Sequence, residues 1–317
     1  MIRRPRPGRT ERRKTTAALQ LTERDLAVLT LIGRVRYLST AQITWTFFPS
    51  ADRALRRLRQ LFDAKLVAFT LLSSRHPTLV SLTRHGVAEV AKREPELAES
   101  LGLAGPIRAS GVRHHLMVVD ARLYAAEVAP LRGAELARWS NPGGGLHREL
   151  GVSAFGLAPD GLAEFQANTS GGDAPERSIV AVEVDAHTES VGPKGPLAKK
   201  AERYARLADA DEVDALWIVA TGGAERLRAI EGVFDAAGLG EWSRVIAHAH
   251  VTERPVRDLP TRAAAGYGVG QADPRNPLTP EHRNQRDLRG FGDRGPPAIG
   301  GVDWGVSGWG TGWRQGR

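Results

Sequence analysis

The sequence predicts an α/β protein in two parts with a low-complexity tail. Three observations carry that prediction. The front third is basic while the middle is acidic. Apolar spacing reads as three helices and a hairpin up to about residue 82, and as alternating helix and strand from residue 114. Glycine and proline then concentrate beyond residue 250, with thirteen Gly and seven Pro in the last 67 residues.

The charge divides the chain where the periodicity does. Residues 1–20 carry seven Lys/Arg and one Glu, and residues 21–113 carry fourteen basic and eight acidic side chains. Residues 114–250 reverse the balance with thirteen basic and twenty acidic, and residues 251–317 have ten and seven. A positive field concentrated on one module points to a polyanion, and nucleic acid is the commonest one.

Length and composition bound the rest. A chain of 317 residues exceeds one typical domain, and 41% hydrophobic residues exclude wholesale disorder. The chain has no Cys, which excludes a disulfide scaffold, a thiolate zinc site and a cysteine nucleophile, and which suits a reducing cytosol. No apolar run approaches the roughly 18 residues of a membrane span, and the basic N-terminal stretch lacks the apolar core of a secretory signal. A cytoplasmic protein with no membrane partner is expected.

Residues 1–20 read as a basic disordered arm. Thr22 is placed to cap a first helix whose face carries Leu26, Leu29, Ile32 and Gly33. Thr40 is the expected cap of a short second helix with Ile43 and Phe47, and Pro49-Ser50 turns the chain. A third helix follows from Ser50, with Leu55, Leu58, Phe62 and Leu66 as its apolar stripe. Arg53, Arg56, Arg57 and Arg59 fall largely off that stripe.

Two extended runs, Val67–Leu72 and Thr78–Leu82, flank the basic link Ser74-Arg75-His76-Pro77. Three helices and a hairpin are the order of a winged helix-turn-helix, in which the third helix enters the major groove and the wing touches phosphates. Arg53, Arg56, Arg57, Arg59 and Arg75 are then the candidate contacts to double-stranded DNA. The competing reading is a helical protein-interaction module. Residues 84–100 read as a closing helix broken at Pro95, completing a DNA-binding domain over 21–100, and 101–113 as a linker.

An α/β domain over 114–252 is expected next. Its elements are a helix over 114–129, strands at Leu136–Trp139, within Gly156–Gln166 and at Ser178–Asp185, a helix at Leu197–Asp209, a strand at Asp214–Ala220, a helix at Ala224–Ala237 and a strand at Arg244–His250. Residues 253–317 read as a disordered Gly/Pro/Arg/Trp-rich tail. Its Trp304, Trp309 and Trp313 either stack on single-stranded bases or have no defined partner.

The candidate chemistry lies in 160–204. Asp160 heads one strand. Period-two alternation puts Glu183 and Asp185 on one face of the next strand, with Val180, Val182 and Val184 on the other. Thr188 and Glu189 follow, and Lys200 and Tyr204 stand one turn apart on the next helix. Carboxylates converging from neighbouring strands form a hard oxygen set suited to Mg²⁺ or Mn²⁺. The competing reading makes Glu183 and Asp185 the polar face of a half-exposed strand.

The pieces TERDLAVL, LSTAQIT, RALRRLRQL, SLTRHG, HHLMVVDARL, PDG, EVDAHTES and KKAERY occur in the order characteristic of replication-relaxation proteins of plasmids and integrative elements. The resemblance covers roughly residues 21–210. It implies a winged helix fused to a restriction-endonuclease-like PD-(D/E)XK fold, a fold resembling that of one class of DNA-nicking relaxases. Carried over, Asp160 is the aspartate of the motif, Glu183 the glutamate of the next strand, and both, with Asp185, the implied Mg²⁺ or Mn²⁺ ligands. The lysine usual two residues after the glutamate is replaced by Asp185. Some members move it to the following helix, where Lys200 stands. His114 and His115 match the family's histidine pair, either contacting phosphate or serving capping and packing.

His248 and His250, at i and i+2 on an expected strand, are read as an exposed edge pair or a metal-binding pair; the only tyrosine downstream is Tyr267. Two functions therefore stand as expectations. One is a DNA-binding protein that nicks a duplex in a metal-dependent reaction to start replication or conjugative transfer. The other is a non-enzymatic regulator, with an inactive nuclease-like domain, that works with replication or transfer proteins.

Overall fold

The computed structural model describes residues 19–95, 105–167, 176–187, 190–192 and 194–252. The expectations for the N-terminal arm, for Thr188 and Glu189, and for the tail from residue 253 lie outside these.

The front part begins with α1 (Glu23–Val35). A capping box starts it: the Thr22 hydroxyl accepts from the Asp25 amide, and the Asp25 carboxylate accepts from the Thr22 amide. The helix is buried on nearly every side from Asp25 to Gly33, because its neighbours include α2, β3 and α4, defined below. A two-residue strand β1 (Leu38–Ser39) leads into α2 (Thr40–Phe47). Thr40 is the first helical residue and the cap is Ser39, which exchanges capping-box bonds with Gln42. The Ser39-x-x-Gln42 pairing satisfies two end amides at once, which a Thr40 cap does not offer.

Ser50 caps α3 (Ala51–Asp63). Its buried row is Ala54, Leu58 and Leu61, with Phe62 half-buried, and Leu55 is 47% exposed rather than part of the core stripe. The i, i+4, i+7 row centred on Leu58 faces the core, and Leu55 falls on its outer flank. β2 (Val67–Thr70) and β3 (Leu79–Leu82) pair antiparallel, and β1 pairs with β3, giving a three-stranded sheet in the order β1-β3-β2. Then α4 (Arg84–Arg93) packs across the sheet. A Cβ at its Gly86 would stand 2.1 Å from the Leu66 carbonyl oxygen, so only glycine allows that approach.

The long helix α5 (Ala109–Val128) starts five residues before the expected position and joins the two parts. Val119 and Leu123 belong to the front core, while Met117 and Ala121 pack on the large sheet. Gln42 of α2 donates to the Leu116 carbonyl at 2.9 Å and to Asp120 Oδ1 at 2.8 Å.

The large sheet holds β4 (Ala134–Ser140), β5 (Gly161–Ala167), β6 (Arg177–Asp185), β7 (Ala215–Ala220) and β8 (Ser243–Ala247) in sequential order. The β4-β5-β6 pairings are antiparallel and the β6-β7-β8 pairings parallel. A short helix α6 (Gly145–Glu149) follows β4; α7 (Pro196–Asp209) and α8 (Ala224–Ala236) are the crossovers of the parallel half. The result is a mixed α/β fold in layers. α5 covers the face carrying Val180, Val182 and Val184, and α7 and α8 cover the face carrying Ile179 and Ala181. The expected alternation of β6 is present, with both faces buried.

The last strand is shorter than expected. It ends at Ala247, and His248 to Thr252 form a one-turn helix, α9. The two histidines therefore do not share a strand face. His248 Nε2 lies 3.0 Å from Asp120 Oδ2 on α5, and the His250 ring meets Tyr124 edge-on at 5.9 Å. Both the edge-strand and the paired-ligand readings fail, because the chain turns back onto α5 at His248. Among the described residues no helix is long and apolar enough to cross a membrane.

Candidate functional site

β5 and β6 bring two of the sequence-predicted carboxylates together. Gly161 pairs with Val182 in the antiparallel register, so Asp160, one residue further out, stands opposite Glu183. The chain bends at Asp160, one residue before β5. The Trp139 indole of β4 lies over Gly161, where a Cβ would come within 2.3 Å of the ring. Pro159 is fixed from behind: buried His147 donates from Nε2 to the Pro159 carbonyl at 3.0 Å, and its Nδ1 lies 3.2 Å from the Ser140 hydroxyl. Burial lowers the His147 pKa, in keeping with a neutral ring in that role. Neither Trp139 nor His147 carried a sequence signal, since their link to Asp160 exists only across strands.

Glu183 is buried and engaged at both oxygens. Tyr204 donates to Oε1 at 2.6 Å and Lys200 to Oε2 at 3.1 Å. Lys200 and Tyr204 are four residues apart on α7, so one helix face delivers both donors. Burial pushes the Glu183 carboxyl up to about 7; the Lys200 charge and the two hydrogen bonds pull it down, and the Asp160 charge pushes it further up. The Tyr204 hydroxyl is raised well above its ordinary value, first by burial and then by Glu183.

Asp160 Oδ2 accepts from the Val184 amide at 2.9 Å and meets His114 Nε2 at 3.2 Å. That hydrogen bond raises the His114 pKa, with burial opposing it. The histidine pair thus divides. His114 joins the acidic site, while His115 donates to the Tyr37 carbonyl at 3.0 Å, its pKa lowered by burial.

Asp185 is turned away from this cluster. Arg226 of α8 holds its Oδ2 through Nε at 3.1 Å and Nη2 at 2.6 Å, and Oδ1 accepts from the His187 amide at 3.0 Å. Asp185 shares the strand face of Glu183 as expected, yet it faces a different helix. Among the described residues no group of three His, Asp or Glu that could hold a metal ion gathers. A further buried acid, Glu164 on β5, is covered by Arg138 and Arg177 and stays apart.

The front surface carries the basic candidates. Arg53, Arg56 and Arg59 are exposed on α3, and Arg75 is exposed between β2 and β3. Arg57 is different: it clasps the buried carboxylate of Asp25 through Nε at 2.7 Å and Nη2, tying α3 to the start of α1. Its neighbour Asp25 is held below the usual carboxylate range, the bonds from Arg57 and Thr22 together outweighing burial. Arg24, Arg53, Arg56 and Arg57 line a groove of about 460 Å³ between α1 and α3, where Arg24 stands over the Phe48 ring.

No curated protein and no solved structure matches the chain. The family model for replication-relaxation matches residues 29–215, from within α1 through α5, the acidic site and α7 to the start of β7. That match covers over half of the chain and spans every residue of the Asp160–Glu183 site, so the protein belongs to the replication-relaxation family.

Proposed function

We propose that the protein binds duplex DNA through its front part, acting as a winged helix, and hydrolyses one strand at the Asp160–Glu183 site. The nick would start replication or transfer of a mobile element. One observation carries the reading: a buried carboxylate, Glu183, opposes Asp160 across two strands and takes hydrogen bonds from a lysine and a tyrosine of the next helix. A buried acid near neutrality beside a lysine in a solvent-reaching site is an arrangement found at catalytic centres.

The nuclease-like resemblance implies a Mg²⁺ or Mn²⁺ ion, and the donor set accommodates one in a particular way. Mg²⁺ keeps water and is commonly held by one or two carboxylates plus substrate phosphate. Asp160 and Glu183 supply those two carboxylates. Asp185, held by Arg226, does not join them. When bound, the ion would polarise the phosphodiester and activate water.

The chain's own groups do the rest. Lys200 offsets the negative charge that builds on the phosphoryl oxygens. Tyr204 orients Glu183 through its hydrogen bond to Oε1. His114, its pKa raised by the hydrogen bond to Asp160, offers a cation to the phosphate when it is protonated. Arg53, Arg56, Arg59 and Arg75 contact the DNA backbone or guanine edges, and Arg57 holds α3 in place.

The test is nicking of supercoiled plasmid from the protein's own genetic neighbourhood, with Mg²⁺ or EDTA. Asp160→Ala and Glu183→Gln are expected to abolish Mg²⁺-dependent nicking and to leave DNA affinity within about twofold. Unchanged nicking in both variants rejects the assignment. The regulator reading draws on one observation, the absence of a third metal-holding side chain among the described residues. Calorimetry with Mn²⁺ separates the two: no ion binding in protein that still binds DNA favours the regulator.

A further inference from the structure

A second cavity, of about 300 Å³, lies between the end of α1, the side of α5 and the turn after β4. Arg36, His115, Arg122, Trp139, Asn141 and Pro142 give it its polar and aromatic lining, and no carboxylate lines it. Such a volume accepts one small planar ligand with its charged group, at the lower end of ordinary ligand sites.

Two features set this cavity apart from a packing gap. Arg36, the residue that ends α1, has φ of 71°, where a side chain is strained and glycine is preferred. Backbone strain of this kind clusters at ligand and active sites, and here it falls on an exposed arginine that lines the cavity. The cavity also adjoins the acidic site along two elements. His115 follows His114, the partner of Asp160, and Trp139 lies over Gly161, the residue after Asp160. Each step is one residue, about 3.8 Å of backbone.

We propose that this cavity holds one unpaired nucleotide of the DNA strand that runs past Asp160 and Glu183. The base stacks on Trp139 and the phosphate meets Arg36 and Arg122. The cavity is too small for a duplex, and a base within a stacked helix does not reach it, so the nucleotide must be single-stranded or extruded. This inference rests on the acidic site acting on DNA. It adds that the substrate there is locally unpaired.

The full-length protein in EDTA is titrated with an oligothymidine of about 20 nucleotides and with a duplex of equal length. Exposed Arg36→Ala is expected to weaken oligothymidine binding by about tenfold while duplex binding stays within about twofold. In a second arm, oligothymidine carrying one 5-iododeoxyuridine is irradiated, and the cross-linked peptide is expected to contain Trp139. Thymidine monophosphate at millimolar excess competes with that cross-link if the cavity takes a free nucleotide as readily as a strand, which would overturn the strand assignment. Equal losses on both DNAs, or a cross-link that avoids Trp139, would overturn the cavity assignment. Nicking is scored separately: Asp160→Ala should lose nicking and keep the Trp139 cross-link, so failure of either reading shows in its own assay.

Discussion

Lys200 reaches Glu183 from the helix after the strand, at 3.1 Å. The position two residues beyond Glu183 is held by Asp185, and that acid faces Arg226 instead. One cation serves Glu183 and another neutralises Asp185.

That relationship makes Lys200 the sensitive test of chemistry at the site. Lys200→Met keeps the length of the stem and removes the charge. It is expected to lower the nicking rate by about 10² to 10³ with DNA affinity unchanged, the range for losing one stabilising donor. Rates on supercoiled plasmid at saturating protein measure it, and a loss below about threefold would remove Lys200 from the proposed site.

The Asp185–Arg226 pair predicts a loss of stability instead. Both side chains are largely buried, so Arg226→Ala strands a carboxylate and is expected to cost about 3–5 kcal/mol in urea unfolding. Asp185→Leu combined with Arg226→Leu should recover most of that, because an apolar pair leaves no buried charge. Nicking per folded molecule should stay near wild type in the double variant. A double variant as unstable as Arg226→Ala alone contradicts the pairing.

In the front part, Arg57 is predicted to act on folding more than on DNA. Arg57→Ala should cost about 2–3 kcal/mol, since it bares the buried Asp25 carboxylate, and Arg56→Ala should cost little. DNA affinity, with its slope against salt, should respond in the opposite order, because Arg56 is exposed and free to displace counterions. Asp25 has a depressed pKa, so its contribution is full above about pH 4 and disappears as pH falls through the folded-state value.

The acidic site predicts a second pH effect of the other sign. Glu183, pushed up to about 7, binds more protons folded than unfolded between roughly pH 4.5 and 7, so stability declines as pH rises through that window. His114, raised by Asp160, acts in the same direction: its contribution is full below about 6.5 and lost as pH climbs through the higher folded value. Wild-type unfolding free energy should fall from pH 5 to pH 8 on account of Glu183. Glu183→Gln should flatten that decline. Parallel pH profiles for the two proteins would show that Glu183 ionises normally.

Gly161→Ala tests the close packing of Trp139 on the residue after Asp160. The added methyl meets the Trp139 ring, and the expected cost is about 1–3 kcal/mol, measured by urea unfolding. Nicking should fall as well, because the ring and the Asp160 turn cannot both keep their places.

Local pattern was enough for much of this architecture. Alternation in SIVAVEVD assigned Glu183 and Asp185 to one face and three valines to the other, and the structure keeps that division. The capping role of Thr22 and the crossover helices were legible for the same reason: hydrogen bonds and apolar faces within a few residues dictate them. Errors fell where the decisive partner is distant. Leu55 is outside the core because Ala54, Leu58 and Leu61 form the row that meets it, and Asp25 pins Arg57 from 32 residues away. His248 leaves the strand toward Asp120, 128 residues earlier in the chain.

The sequence by itself determined the order of most elements and, in β6, which residues share a face. Only the tertiary structure decided which carboxylate faces which cation, separating Asp185 from Glu183 and bringing Lys200, Tyr204 and His114 to one point. The physical reason is range. Period and capping act over a few residues, whereas the pairing of buried charges depends on which helix the packed core sets against each strand end.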